Sequence, residues 1–309
     1  MVKLEQDKEL KIEYQKVVDG YESDHMIEEV PRQEISGVNF MYYMDHHPVV
    51  KLSSSSTKIR PVFDASASCY NGESLNDCLS SGPSLNHDLV EVLIRFRRWP
   101  IAVTTDLIKA FLQINVQEKD RDVHRILWPR DDGTIRHIRF TRVPSGNTSS
   151  PFLLNATIKH HLDKYPSTSV VQDLKANIYT DNWMSGADFA VEAADKFCEA
   201  HSIFADASMD LTKLVSNSLL INSQLYDKVP FINFDEPNTV LGLKWCNSQD
   251  SFFFDGINSN SSVGVVSTKR SILGLIAKIF YPLGLISPYV MYGKILFQEL
   301  WMLNVVFVL

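Results

Sequence analysis

The chain has 309 residues, 45% hydrophobic and 22% charged, an ordinary globular composition with apolar material for one large domain or two of common size. Its formal net charge of -7 weighs against a uniformly basic nucleic-acid-binding body, but leaves room for a local basic groove, because attraction to phosphate follows where charge clusters. The charged start, Met1 to Lys8, is unlike a signal peptide, and no run reaches the roughly 18 apolar residues of a membrane span. Cys69, Cys78, Cys198 and Cys246 form no CxxC pair and no zinc-finger spacing, and read as reduced thiols of an intracellular protein. The pairs His46-His47 and His160-His161 lack ligand partners at useful spacing and read as surface or loop histidines.

In chain order, Glu9 to Val18 repeats apolar positions every three or four residues, which predicts an amphipathic helix. His46 to Leu52 and Thr57 to Asp64 are short β runs around Ser53 to Ser56, predicting a hairpin that carries Lys51, Lys58 and Arg60. Its plain reading is a solvated hairpin; the sharper one is a cationic clamp for phosphate, whose oxygens an arginine fork can hold. Asp88 to Trp99 predicts a helix stopped by Pro100, with arginines beside aromatic rings at its end. Such an end could touch nucleic acid, although a helix C-terminus favours cations in any case.

Ala102 to Asp106 is an apolar strand that ends at a carboxylate, with Phe111 five positions on and a helical or turn segment expected from Ala110 to Ile114. Ile135 to Val143 alternates charged and apolar residues, a strand with one wet face. Pro144 to Pro151 is a small-residue turn opening a helix over 152–162, with Ser150 near the N-cap and Pro151 in the first turn. Asn177 to Trp183 is a second β-rich run that delivers Asp181, here beside a turn-forming Asn182. A helix from Phe189 to Met209, a strand from Leu211, a strand pair over 238–245 and 251–254, and helices over 269–280 and 289–302 complete the chain. A single aspartate at a strand end is most often a turn residue or a cap. Two on neighbouring strand ends can share divalent metals about 3.5–4 Å apart, the arrangement that metal-assisted phosphoryl transfer needs.

The order of these pieces resembles the fingers and palm of a reverse transcriptase, more specifically that of BEL/Pao-type LTR retrotransposons. The likeness rests on Arg60-Pro61-Val62-Phe63-Asp64-Ala65-Ser66-Ala67, Ser74-Leu75-Asn76-Asp77 and Gly82-Pro83. It continues through Arg142-Val143-Pro144, Ser149 to Ala156, and Thr268-Lys269-Arg270 to Ile279-Phe280. Pro282 to Pro288 closes it, so the likeness runs from about residue 40 to about 301.

The resemblance implies an α+β, right-hand polymerase with an antiparallel palm sheet backed by helices. Residues 1–40 would be a helical lead-in, 41–250 the fingers and palm, and 251–309 a truncated connection segment. It implies an RNA-directed DNA polymerase that adds dNTPs to a primer 3′-OH on an RNA or DNA template, with Mg2+ or Mn2+ as cofactor, in a cytoplasmic retroelement particle. Asp106 and Asp181 would bind the metals, and Lys213 would act near the leaving group. Phe111 would sit beneath the sugar and reject a 2′-hydroxyl. Arg60 and Lys58 would hold the triphosphate, and Pro144, Ser145 and Gly146 would line the nascent base pair. Leu241, Gly242 and Trp245 would form the primer-side hairpin.

Two departures stand out. Asn182 occupies the second position of the usual Tyr-x-Asp-Asp, leaving two strong carboxylates instead of three, and Ser145 stands where the family often has an aromatic residue. The chain carries no aspartic-protease triplet, no integrase-like zinc set and no second acidic cluster suggestive of an RNase H domain, and its apolar end, Trp301 to Leu309, leaves the family pattern. These features suggest a piece of a longer polyprotein or a genomic relic. Three readings stay open at this level: an active polymerase domain, a decayed copy that keeps the fold, and an unrelated α+β interaction domain whose aspartates only close turns.

Overall fold

In the computed structural model, residues 7–36, 40–50, 59–70, 72–130, 132–225, 238–254 and 268–303 are described, with 222–224 described by backbone alone. The first half contains α1 (Lys8–Ser23), β1 (Ile27–Glu29), β2 (Asp45–Val50), β3 (Ile59–Asp64), α2 (Leu75–Cys78), α3 (Leu89–Phe96), β4 (Ile101–Leu107), β5 (Arg125–Pro129) and β6 (Ile135–Phe140). Then follow α4 (Ser150–Leu162), α5 (Ser169–Asn177), β7 (Ile178–Tyr179), β8 (Asn182–Ala187), α6 (Ala190–Ala205), β9 (Leu211–Ser216) and α7 (Leu219–Leu225). The last elements are β10 (Asn238–Val240), β11 (Leu243–Cys246), β12 (Ser251–Phe253), α8 (Lys269–Ala277) and α9 (Ser287–Met302). Every pairing between these strands is antiparallel.

The chain divides into two interleaved units. The first comprises Met1–Asn86, Lys109–Tyr165 and Ala207–Met209. Helix α1 is part of it. Asp7 caps α1 by accepting from the Leu10 amide at 3.0 Å, and Tyr14 and Val18, one turn apart, face inward. They pack with Ile126, Trp128, Ile138 and Phe140 of the β1-β6-β5 sheet and with Phe63 of the β2-β3 hairpin. Tyr14 meets Trp128 edge-on at 5.0 Å, and Phe63 meets Phe140 at 4.8 Å, the geometry that ring quadrupoles favour. The hairpin's connecting residues, Lys51 and Lys58 among them, lie outside the described residues.

Two expectations for this unit need correction. His46 is not a surface residue: it stacks on Trp128 at 5.4 Å, donates from Nε2 to the Leu127 carbonyl at 3.0 Å, and accepts at Nδ1 from the Tyr14 hydroxyl at 2.9 Å. Burial holds its pKa below the ordinary value, and the neutral ring satisfies both nitrogens. His46 itself is half-buried, whereas His161, within α4, is buried outright. The charged side of β6 is not simply wet either. Arg139 is buried and bonds Glu28 at 2.7 Å, Glu34 at 2.8 Å and Asp122 at 3.0 Å, while the fully buried Arg125 bonds Asp122 at 2.7 Å. Charges are kept inside a fold only when paired in this way.

The second unit comprises His87–Ile108, Pro166–Asp206 and Asp210–Leu309. Its four-stranded sheet runs β7-β8-β4-β9, with β4 buried over Ala102 to Thr105. Asp88 caps α3 by accepting from the Val90 and Glu91 amides, and α3 buries Val92, Leu93 and Phe96. Phe96 meets Trp245 of the β10-β11-β12 sheet edge-on at 5.1 Å. These residues join Ala102, Met184 and Val215 in one core. At the end of the chain α8, α9 and the connection between them leave large apolar side chains exposed, Leu285, Tyr292 and Trp301 among them. Among the described residues no helix is long and apolar enough to cross a membrane.

Candidate two-carboxylate site

The site is built where β4 ends beside the β7-β8 turn, all within the second unit. Asp106 pairs with Asn182 across β4 and β8, and Tyr179 pairs with Asn182 across β7 and β8, so Thr180 and Asp181 form a two-residue turn. Thr180 carries this turn at φ +56, a left-handed value that a β-branched residue adopts only under strain. The Leu107 amide donates to the Asp181 carbonyl at 2.7 Å and ties the strand end to the turn.

The side chains converge on one point. The Asn182 amide donates to Asp106 Oδ1 at 2.9 Å and to Asp181 Oδ1 at 3.3 Å. The two carboxylates therefore stand no farther apart than two hydrogen bonds laid end to end, under the roughly 7 Å upper limit for bridging a metal pair. Asn182 thus does more than close a turn. Lys213 Nζ lies 2.9 Å from Asp106 Oδ2. All four side chains are half-buried, within reach of solvent.

Lys213 gets there through an irregularity in β9. Thr104 pairs with Val215 and Asp106 with Thr212, so β9 spends one residue more than β4 over the same stretch. Lys213 sits in that bulge at φ +51. A bulge of this kind turns a side chain that strict alternation would direct elsewhere. The Thr212 carbonyl at the bulge accepts instead from the Thr105 hydroxyl, at 2.6 Å.

The donor set suits a hard divalent cation. Two carboxylates face one position, Asn182 brings an amide that also has a carbonyl oxygen, and the Lys213 ammonium already stands against Asp106 as a cation. Among the described residues there is no cluster of three or more His, Cys, Asp or Glu placed to hold a metal.

The remaining expected site residues fall into both units. In the first unit, Arg60 is exposed and its side chain has no hydrogen-bond or ion-pair partner among the described residues, and Phe111 is half-buried on the 3-10 turn Ala110–Gln113. The loop at 144–148 is tightly anchored. Pro144 is buried and its carbonyl accepts from the Ser150 hydroxyl at 2.8 Å; Ser149 is the N-cap residue, so Ser150 stands beside it and Pro151 in the first turn, as the sequence placed them. Ser145 is half-buried, and Gly146 is exposed at φ +106, where a Cβ would collide with the Phe63 carbonyl. Asn76 donates to the Gly146 carbonyl at 3.1 Å and accepts from the Thr148 amide at 2.8 Å, a clamp that sequence reasoning left unassigned. Asn147 donates to Nε2 of the buried His124 at 2.7 Å, and burial pushes the His124 pKa down to about 4.

In the second unit, Leu241 at φ +46 and Gly242 at φ +88 form the two-residue turn between β10 and β11. Trp245 is fully buried and donates to Asp250 at 3.1 Å, so it anchors that hairpin from beneath instead of presenting a ring to a ligand.

With this geometry in view, the likenesses to known proteins gain meaning. Residues 268–307 match a family described as the Pao retrotransposon-like RNaseH-like domain. The described part of that match consists of α8 and α9, and Glu299 is its one carboxylate, so it does not itself hold an acidic centre. A comparison with curated proteins finds no match. Among solved structures the chain is similar to the foamy viral protease-reverse transcriptase. In one complex with double-stranded DNA the identity is 16%, 88% of this chain and 40% of that chain are covered, and the TM-score is 0.59. In a complex with an RNA/DNA hybrid the figures are 17%, 87%, 31% and 0.56. A further complex with double-stranded DNA gives 18%, 88%, 48% and 0.57. The chain thus spans less than half the length of these structures and shares their mixed fold of antiparallel sheets and helices.

Proposed function

We propose that the chain is the RNA-directed DNA polymerase domain of a BEL/Pao-type retroelement, with fingers and palm, extending a primer on an RNA or DNA template with dNTPs. The observation that carries this reading is the convergence of Asp106 and Asp181 on one amide at adjacent strand ends, with Lys213 beside them. Asp106 and Asp181 would hold Mg2+ or Mn2+, which when bound lowers the pKa of a hydroxyl and neutralises phosphate charge. The chain's own residues do the rest. Lys213 is positioned to give a proton toward a leaving phosphate oxygen once it releases Asp106. Arg60 meets phosphate oxygens, Phe111 excludes a 2′-hydroxyl, and the anchored loop from Pro144 to Gly146 supplies a rigid wall for a base pair. Leu241 and Gly242 present the tip of a primer-side hairpin that Trp245 braces.

RNA-templated primer extension with Mg2+ and with Mn2+ tests this reading. Incorporation that disappears in Asp106→Asn and in Asp181→Asn is the expected result; incorporation that survives both substitutions rejects it. Asn182 favours a second reading, an inactive copy that keeps the fold and a grip on nucleic acid, because its amide fills acceptor sites that a cation would need. That reading expects no extension by the parent chain and retained binding of a primer-template.

A further inference from the structure

The second unit carries two exposed apolar patches that its core does not use. The first lies at the end of the β7-β8-β4-β9 sheet opposite Asp106. Ala187 pairs with Ile101 there, and the Asn217 side chain donates to the Pro100 carbonyl at 2.9 Å. The chain therefore leaves β8 toward Phe189, and β9 toward Leu219, at that same end. Phe189, Val191, Leu219 and Leu220 are each more than half exposed. Asp188, Glu192 and Asp195 stand exposed around them, and none has an ion-pair partner among the described residues. Arg98 and Lys196, the cations of the neighbouring elements, are both turned onto the Trp99 ring, at 4.4 and 4.9 Å from its centroid. The second patch is the pair α8 and α9. Helix α8 buries none of its residues, and α9 only Val290. The helices touch where Lys269 lies over the Trp301 ring at 4.4 Å, yet Tyr289, Tyr292, Trp301 and Met302 are each more than half exposed. From Thr268 to Leu303 four cations, Lys269, Arg270, Lys278 and Lys294, stand against one acid, Glu299, a net +3 on a chain whose total is -7.

We propose that the two patches are complementary halves of one interface between copies of this chain, α8 and α9 of one copy seating on the α6 and α7 end of the sheet in the next. Helices that are apolar on most sides are stable when something covers them, and contiguous exposed apolar surface marks an interaction site. The charges decide what covers it. Cations border the helical patch and acids border the sheet-end patch, so the two attract each other, whereas either patch set against its own copy meets its own sign. The contact is therefore heterologous, and copies add head to tail. A nucleic acid fits this surface less well. Interfaces with nucleic acid are polar and strongly charged, while Leu, Tyr, Met and Trp make up the middle of this one. The inference does not depend on the polymerase reading.

Sedimentation velocity of the full chain, free of nucleic acid, tests the interface. The parent is expected to be monomeric at about 1 µM, to grow past the dimer by about 100 µM, and to return to monomer on dilution. Two double variants, Phe189→Ser with Leu219→Ser and Tyr292→Ser with Leu296→Ser, should each stay monomeric over that range with an unchanged Tm. Mixed in equal amounts they should form a dimer and stop there, because each supplies the half that the other lacks. Self-association of either double variant means that its intact patch pairs with itself, and overturns the head-to-tail assignment. Charge reversal is the second test. Asp188→Lys with Glu192→Lys should weaken association about tenfold, and adding Lys278→Glu with Lys294→Glu in the same chain should recover it. A further loss in the combined variant overturns the pairing of the two patches. A parent that stays monomeric throughout overturns the interface, and loss of duplex DNA binding alone in Tyr292→Ser with Leu296→Ser would then give the helical patch to nucleic acid.

Discussion

Asn182 holds one NH2 group against two carboxylates, and replacing it tests what that position needs. Asn182→Asp removes both hydrogen bonds and sets a third negative charge beside Asp106 and Asp181. In EDTA the variant should lose about 1–2 kcal/mol, seen as a fall of several degrees in Tm. With Mg2+ the sign reverses, and half-maximal primer extension should come at lower Mg2+ than in the parent; an unchanged Mg2+ dependence in a folded variant rejects the idea. Phe111→Ala should raise ribonucleotide incorporation relative to dNTPs, and an unchanged ratio in an active variant makes Phe111 packing only. His124 gives a pH signature. Its pKa falls from the ordinary 6.5 or so to about 4 on folding, so the unfolded chain takes up the proton first as pH drops. Stability is fully present above about pH 6.5 and should decline by about 3 kcal/mol as pH falls to about 4. Despite the opposing pull of burial, hydrogen bonds from Arg125 and Arg139 hold Asp122 below the usual carboxylate range, so it keeps its charge through this window. Urea denaturation at stepped pH should show the decline flattened, though not abolished, in His124→Gln, since the depressed His46 titrates with the same sign. At this scale the two aspartates were legible because each ends a β-rich run. The pairing of Asp24 with Lys109 was not, because 85 positions separate the partners and neither carries a local sign of the other.

Helix α3 shows what a single element owes to its cap. Asp88 satisfies two of the amides that open the helix, and the helix in turn delivers Val92, Leu93 and Phe96 to the core. Asp88→Ala should cost about 1 kcal/mol, read as a shift in urea midpoint with an unchanged slope. A change in slope would mean that the helix end unfolds separately. The sequence announced this element well: an aspartate, an apolar run at helical spacing and a closing proline. It placed the start of α4 as well, with Ser150 beside the N-cap and Pro151 in the first turn, but the bond from Ser150 back to the Pro144 carbonyl was not legible, because only the folded loop brings the two together. Strand β6 was read as half wet for a similar reason. Alternation reports that two faces differ, but cannot tell that Glu28, Glu34 and Asp122 arrive from elsewhere to cover the charged one.

At the scale of the molecule, the chain passes repeatedly between its two units. The stretch His87–Ile108 belongs to the second unit, while Lys109–Tyr165 returns to the first. No linker composition marks these crossings, and each falls within an ordinary connection. The interleaving carries a prediction. A fragment ending at Tyr165 keeps β4 but lacks β7, β8 and β9, leaving the central strand of a sheet with both edges bare. Unpaired edges recruit other chains. The fragment should elute as aggregates in size exclusion, whereas the full chain should not; a monodisperse fragment would argue against the strand order described for the second unit.

The bulge in β9 has a consequence for how this molecule can change over time. Because Lys213 meets Asp106 through one surplus residue in the strand, the contact is written in the length of the segment as much as in its letters. Exchanging neighbours one at a time leaves that count intact. Losing a single codon between Thr212 and Val215 restores the regular ladder and shifts the phase of every side chain on one flank of the change. Such a copy would keep Asp106, Asp181 and Lys213 in its sequence while Lys213 points away from the aspartate, so an inventory of motif letters would pass it as intact. For chains of this kind, the spacing between the letters is the better witness to a working centre.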